Sequence, residues 1–131
     1  MNDVAKCFTF IALGLFSLAA IAAPKQLITH NSTDLESNAF VAGSIPSQHP
    51  TKAHSDGKVF WTAVKLACFG HTVNGQCAAL IKMATNTANP IEIGTLQVDV
   101  NSGEITPHQL STNGFTITVN GPGETTISKN P

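Results

Sequence analysis

Residues Lys58 to Asn86 read KVFWTAVKLACFGHTVNGQCAALIKMATN, and the relation between Cys68 and Cys77 within them decides the fold. Successive residues of a strand point to opposite faces. If both halves are strands and the two cysteines face each other, Leu66 opposes Ala79, Val64 opposes Ile81, Thr62 opposes Met83 and Phe60 opposes Thr85, a mostly apolar face. The other face carries Val59, Trp61, Ala63, Lys65 and Ala67 against Ala78, Leu80, Lys82 and Ala84. That pattern predicts a long central β-hairpin stapled by a disulfide.

A two-residue turn at Asn74-Gly75 competes with this register, because Asn-Gly is the strongest short hairpin signal. Such a turn pairs Cys68 with Ile81, and the slip is even, so parity does not separate the two. Bridged cysteines have Cα atoms about 5.5 Å apart, which favours the Cys68/Cys77 register with a longer loop from His71 to Gly75. Closing so short a loop is worth about 2 to 3 kcal/mol in the chain-entropy model.

Upstream, an apolar run from Cys7 to Ala20 follows Lys6 and ends in Ala20-Ile21-Ala22. This is the layout of a secretory signal peptide, shorter than a membrane span, with cleavage expected after Ala22. The expectation is therefore a signal peptide over 1–22, a single domain over 23–131, a secreted or periplasmic address and no stable membrane insertion after cleavage. Cys68 and Cys77 remain as an even pair in an oxidising compartment, where a disulfide is the default. Their C-x8-C spacing is not a zinc signature.

Charge excludes several functions. The chain has 7 basic residues, every one a lysine, 8 acidic residues and a formal net charge of -1. Nucleic-acid binding needs clustered Lys and Arg, so no nucleic-acid partner is expected. Without arginine the bidentate clamp for phosphate or carboxylate is missing too.

The remaining segments read as short strands between turn signals. Gln26 to His30 and Ala39 to Ala42 are strands, Ser44 to Gly57 an extended surface loop with Pro46, Pro50 and Gly57 as breakers. Beyond the turn at Thr85 to Pro90, Ile91 and Ile93 share one parity, whereas Leu96, Val98 and Val100 share the other. A one-residue bulge at Gly94-Thr95 returns all five to one face. Asn101-Ser102-Gly103 turns the chain into Glu104 to Thr106, which Pro107 stops. A polar loop, His108 to Gly114, precedes an amphipathic strand with Phe115, Ile117 and Val119 inward. Asn120 to Gly123 then reverses the chain into Glu124 to Ser128, anchored by Ile127. Many short strands and no helix predict an all-β fold, a single antiparallel β-sandwich, with Greek-key or Ig-like order as possibilities.

Catalytic signatures are missing. There is no G-x-S-x-G elbow, and the carboxylates are scattered over loops and strand ends, with no pair to nominate for glycosidase chemistry. No enzyme, cofactor or metal is expected. His30, His49, His54, His71 and His108 are read as solvated loop residues; a surface copper or zinc site from His49, His54 and His71 is the minority reading. The sequon-like Asn31-Ser32-Thr33 is read as a turn.

Two surfaces are candidates for binding. Trp61 with Lys65 and Lys82 makes a platform for a sugar ring or an anionic headgroup if its face is exposed, although a lone tryptophan in a sandwich more often packs into the core. The second is the loop tip with Phe69 and His71, whose base the disulfide fixes.

The run ACFGHTVNGQCAALIKMATNT, together with ITPHQLSTNGFTITVNGPGETTI, resembles small exported proteins of gammaproteobacteria that live inside host cells. The resemblance covers most of the mature chain and implies export by such a bacterium; it transfers no activity and no functional residue. The expected function is that of an exported, non-catalytic binding module meeting a host or envelope component, with a protein, a glycan or a lipid headgroup as partner. Alternatives are an envelope or surface-assembly subunit using its strand edges, and a small hydrolase or metal-binding protein.

Overall fold

The structure is a computed structural model that describes residues 22–131. The expected signal peptide, apart from its last residue, lies outside the described residues.

Two sheets face each other across one apolar core. The first has the order β9-β10-β11-β1-β4, built from β1 (Gln26–Asn31), β4 (Ser55–Phe60), β9 (Gln109–Thr112), β10 (Phe115–Gly121) and β11 (Glu124–Lys129). The second has the order β3-β2-β6-β7-β8, from β2 (Ser37–Val41), β3 (Ile45–Pro46), β6 (Gln76–Met83), β7 (Ile91–Asp99) and β8 (Ile105–Thr106), with β5 (Thr72–Val73) paired to β6. The β-sandwich is as expected. It is not purely antiparallel, because β11 runs parallel to β1, with Glu124 beside Ile28 and Ile127 beside Asn31.

The central hairpin is the main correction. Lys58 to Cys68 is not one strand: β4 ends at Phe60 and the chain becomes the helix α1 (Trp61–Cys68). Trp61, Val64 and Cys68 are its buried residues, a spacing of three and then four that one helical face accommodates and an alternating strand does not. As β4 ends, the Trp61 amide donates to the Lys25 carbonyl at 2.9 Å. Past the helix, Gly70 takes a left-handed φ of 82° and the chain turns back. β6 pairs with β2 and β7 instead, Ala79 opposing Val41 and Leu96.

Both signals that competed in the sequence are satisfied. Asn74 and Gly75 form the two-residue turn, with φ of 53° and 76° and Val73 paired to Gln76, as a type I′ turn requires. Cys68 and Cys77 are also bonded, with Cα atoms 5.9 Å apart. They are compatible because Cys68 sits on a helix and needs no strand register.

The second half of the chain follows its sequence pattern closely. Across β6 and β7 the register slips between Ile81 and Lys82, which oppose Gly94 and Glu92. This bulge puts Ile93, Leu96 and Val98 in the core, with Ile91 and Val100 packed against it. Gly94 is required there: its φ is 153°, and a Cβ would lie 2.7 Å from the Leu110 side chain on β9. Phe115, Ile117 and Ile127 complete the core from the opposite sheet. The segment expected as a loop from His108 to Gly114 contains the edge strand β9, and the long loop from Ser44 contains β3 and ends where β4 starts at Ser55.

That loop also closes part of one side. Ser37 and Thr51 exchange backbone hydrogen bonds of 2.9 and 2.8 Å. A Cβ on Gly57 would collide with the Thr51 hydroxyl, so loop and edge strand are in close contact. Asn31 donates from its amide to the carbonyls of Leu35, Thr51 and Lys52 and is only 2% exposed. The sequon asparagine is thus a structural tie, without a free nitrogen for a glycan.

Candidate functional site

Where α1 crosses from one sheet to the other, the sandwich does not close. A groove of about 440 Å³ runs between the helix, the interior of the first sheet and the β2–β3 strap. Ala63, Leu66 and Ala67 of α1 form one wall; Val41, Ile45 and Pro46 form the other. Leu27 and Val59 reach it from the first sheet, and the Cys68–Cys77 bond lies among its lining residues. The volume falls within the ordinary range for small-molecule sites, roughly 300 to 1,000 Å³.

The helix that overturned the hairpin builds this wall. Its eight residues bury Trp61, Val64 and Cys68 toward the core and turn Leu66 outward, 76% exposed. Ala63 and Ala67 are too small to fill the space beside the strap. Phe69 and Val73, just beyond, are 83% and 73% exposed, and Ile45 across the groove is 42% exposed. Leu66 and Ile45 therefore stand in water on the two walls of the groove, and Phe69 and Val73 in the segment that follows α1.

Polar side chains in the lining are confined to Ser47, Gln48 and His49. None of the lining residues is an aspartate, glutamate, lysine or arginine. Four carboxylates are engaged elsewhere: Asp56 and Glu124 on His30, Glu36 by the Thr85 hydroxyl at 2.6 Å, and Asp99 by the amides of Asn101 and Ser102, both at 2.9 Å. Those backbone donors, that of Ser102 first, hold the Asp99 carboxyl below its ordinary value.

The platform expectation for Trp61 does not hold. Its ring is 5% exposed and its Nε1 donates to the Val100 carbonyl at 2.9 Å, which orients the indole in the core. Lys65 lies on the solvent side of α1, whereas Lys82 lies on β6 with its ammonium 4.6 Å from the Phe40 ring centre. The three are not brought together, because parity placed them on one strand face and the helix removes that face. Phe69 and His71 do lie at an exposed tip whose base is the disulfide, with the His71 amide donating to the Cys68 carbonyl at 2.8 Å. Sequence reasoning missed Ile45, Leu66 and the small residues Ala63 and Ala67. The signal available for them was the spacing of Trp61, Val64 and Cys68.

A second cluster was also missed. On the outer face of the first sheet, His30 Nδ1 meets Asp56 Oδ1 at 2.8 Å and its Nε2 meets Glu124 Oε2 at 2.6 Å. Hydrogen bonds that the ring donates to Glu124 and then Asp56 raise the His30 pKa above its ordinary value. With both ring nitrogens taken by carboxylates, the imidazole has none left for a substrate proton. Among the described residues, no group of three or more His, Cys, Asp or Glu side chains is arranged to hold a metal ion.

Comparison with known proteins adds an export route. A family model described as "T2SS substrate NttC" matches residues 1–130. The solved structure described as "Crystal structure of the Legionella pneumophila type II secretion system substrate NttC" is similar to this chain at 61% identity and a TM-score of 0.81, covering 82% of this chain and 100% of that one. No curated protein matches.

Proposed function

Because the chain belongs to the family of the type II secretion system substrate NttC and is a secreted protein, we propose that it works outside the inner membrane as a binding module, by recognition without turnover. The site is the apolar groove beside α1, and the stapled tip with Phe69 and His71 extends its rim. The observation that carries this reading is the groove itself: about 440 Å³ of apolar space, open to solvent, with exposed Leu66 and Ile45 on its two walls.

The chemistry of the lining supports recognition over catalysis. A hydrolase needs an activated nucleophile or a positioned acid and base. Here the cysteines are bonded to each other and the carboxylates lie elsewhere. His49 alone is titratable, and the structure gives its side chain no carboxylate partner to orient it. A sugar ring is a poor occupant as well, since glycan sites need polar groups and an aromatic face, and the one tryptophan is buried.

An uncharged apolar dye tests the reading directly. Phenylnaphthylamine gains fluorescence on entering a water-free site, and the protein with its disulfide intact is expected to take up one equivalent. Ala63→Trp, which fills the groove from the helix side, is expected to weaken that uptake on the order of ten-fold or more, about 1.4 kcal/mol per decade. Dye that fails to bind, or that binds the variant equally well, would remove the groove as the site.

A further inference from the structure

We propose that the binding site runs on from the groove into the core, where the hydroxyls of Thr29, Ser37, Thr51 and Thr125 receive the uncharged hydroxyl of an amphiphile whose hydrocarbon body lies in the groove. This rests on the groove being the binding site and adds the class of its ligand.

A second space adjoins the groove. A cavity of about 70 Å³ lies between the two sheets, and Leu27, Ala39, Ser47, His49 and Val59 line both it and the groove. Thr125 of β11 stands beside Thr29 of β1 in its lining, and Ser37 of β2 is bridged through its backbone to Thr51 of the loop. Ser37, Thr51 and Thr125 are each at most 7% exposed. Other polar side chains of the cavity are engaged: Asn38 with the Ser47 carbonyl and the Ala39 amide, and the Ser47 hydroxyl with the His49 amide.

Among the described residues no hydrogen bond reaches the hydroxyls of Thr29, Ser37, Thr51 and Thr125, although no side-chain polar atom sealed from solvent lacks a partner. The four therefore open onto the cavity. Valine would fill the place of each threonine without a polar group to satisfy, so these hydroxyls serve what enters the cavity rather than the packing of the core.

Charge selects the entering group. Neither lining contains Asp, Glu, Lys or Arg. The backbone of Ile45 and Pro46 adds polar groups at the groove, and these are uncharged as well. A carboxylate or ammonium drawn into the cavity would lose its hydration and meet no counter-charge. A neutral hydroxyl donates once and accepts twice, and each protein hydroxyl can answer in either sense. The cavity exceeds the roughly 10 to 15 Å³ that one water needs, so an alcohol can enter in place of water and reproduce its hydrogen bonds. Leu27, Ala39 and Val59 carry the apolar lining from one space to the other.

The test compares 1-decanol, decanoate and decylammonium, one chain with three heads, as competitors of phenylnaphthylamine at neutral pH on the protein with its Cys68–Cys77 bond intact. Decanol is expected to displace the dye at a concentration on the order of ten-fold lower than either ion, about 1.4 kcal/mol. Thr125→Val should weaken decanol on the order of five-fold, about 1 kcal/mol, while dye uptake is unchanged and the melting temperature does not fall. Ser37→Ala, on the opposite sheet, should do the same and guards against misfolding of the first variant.

Equal displacement by the three heads would place the head in water and overturn the proposal. Decanol that binds wild type and both variants alike would mean that the cavity holds water only, and overturns it too. If the dye binds and decanol does not displace it, the ligand class is wrong and the groove reading survives. If neither binds, both fall.

Discussion

His30 ties three strands of one sheet together through a single ring. Asp56 on β4 and Glu124 on β11 approach its two nitrogens from either side of β1, and both contacts are at full strength only when the ring carries both protons. The other charged groups near it are Lys58, beside Ile28 on the same face, and His54, in the loop before β4. Glu124 and then Asp56 raise the His30 pKa from 6.5, so the sign of the linkage follows. The folded state holds the proton more tightly than the unfolded chain. The stabilisation is complete below about 6.5, with the carboxylates still ionised, and is lost as pH rises through the raised folded-state value. Melting temperatures of the wild type and His30→Gln should accordingly differ most in mildly acidic buffer and converge in alkaline buffer. A gap that is independent of pH, or that widens as pH rises, would show that the ring contributes only packing.

At the scale of the element, the disulfide holds a short helix that has few signals of its own. No side chain caps the N-terminus of α1, and its first turn contains no acid. A helix of eight residues is marginal without tertiary support, which here comes from three buried side chains and the bond to β6. The double variant Cys68→Ala/Cys77→Ala should lose about 2 to 3 kcal/mol in chemical denaturation. Limited proteolysis should then cut first between Trp61 and Val73 while the sandwich resists. Cleavage that begins in β10 or β11 would contradict this order. The same weakness explains why the helix was illegible in the sequence. Ala, Leu and Lys around Trp61, Val64 and Cys68 suit a helix, but with neither cap nor charge pattern to mark a start, the strand alternation of Val59, Trp61 and Ala63 read equally well. Where local chemistry forces the backbone, the reading succeeded: Gly94 located the bulge, and Phe115, Ile117 and Ile127 located the core. The groove was not legible for a further reason: it is the gap between a helix and a strap distant in sequence, and Ala63 and Ile45 reveal it only once both are in place. Parallel pairing of β11 with β1 was hidden likewise, since no turn connects them.

At the scale of the whole molecule, the strand edges bear on the assembly reading. A subunit that polymerises by adding strands needs a long, regular edge with free backbone groups. The second sheet ends in β3 and β8, two residues each, the first containing Pro46 and the second followed by Pro107. Proline donates no amide hydrogen, so neither edge offers a continuous ladder. In the first sheet β4 carries Asp56 and Lys58 on its exposed face and has the Thr51 loop packed at Gly57. β9 contributes four residues and packs through Leu110 onto Gly94 of the opposite sheet. Every edge is short, charged or covered, which favours a protein that acts singly over one that builds a filament. Size-exclusion chromatography with light scattering should therefore give the mass of a single chain, no more than 13.7 kDa, unchanged by dilution. A mass that grows with concentration would reopen the assembly reading, and the site of contact would identify its cause. Growth abolished by Leu66→Glu or Phe69→Glu would come from the exposed apolar rim, leaving the edges inert. Growth that survives those changes and responds to proline placed in β4 would come from strand addition, and the groove would then be incidental to the protein's work.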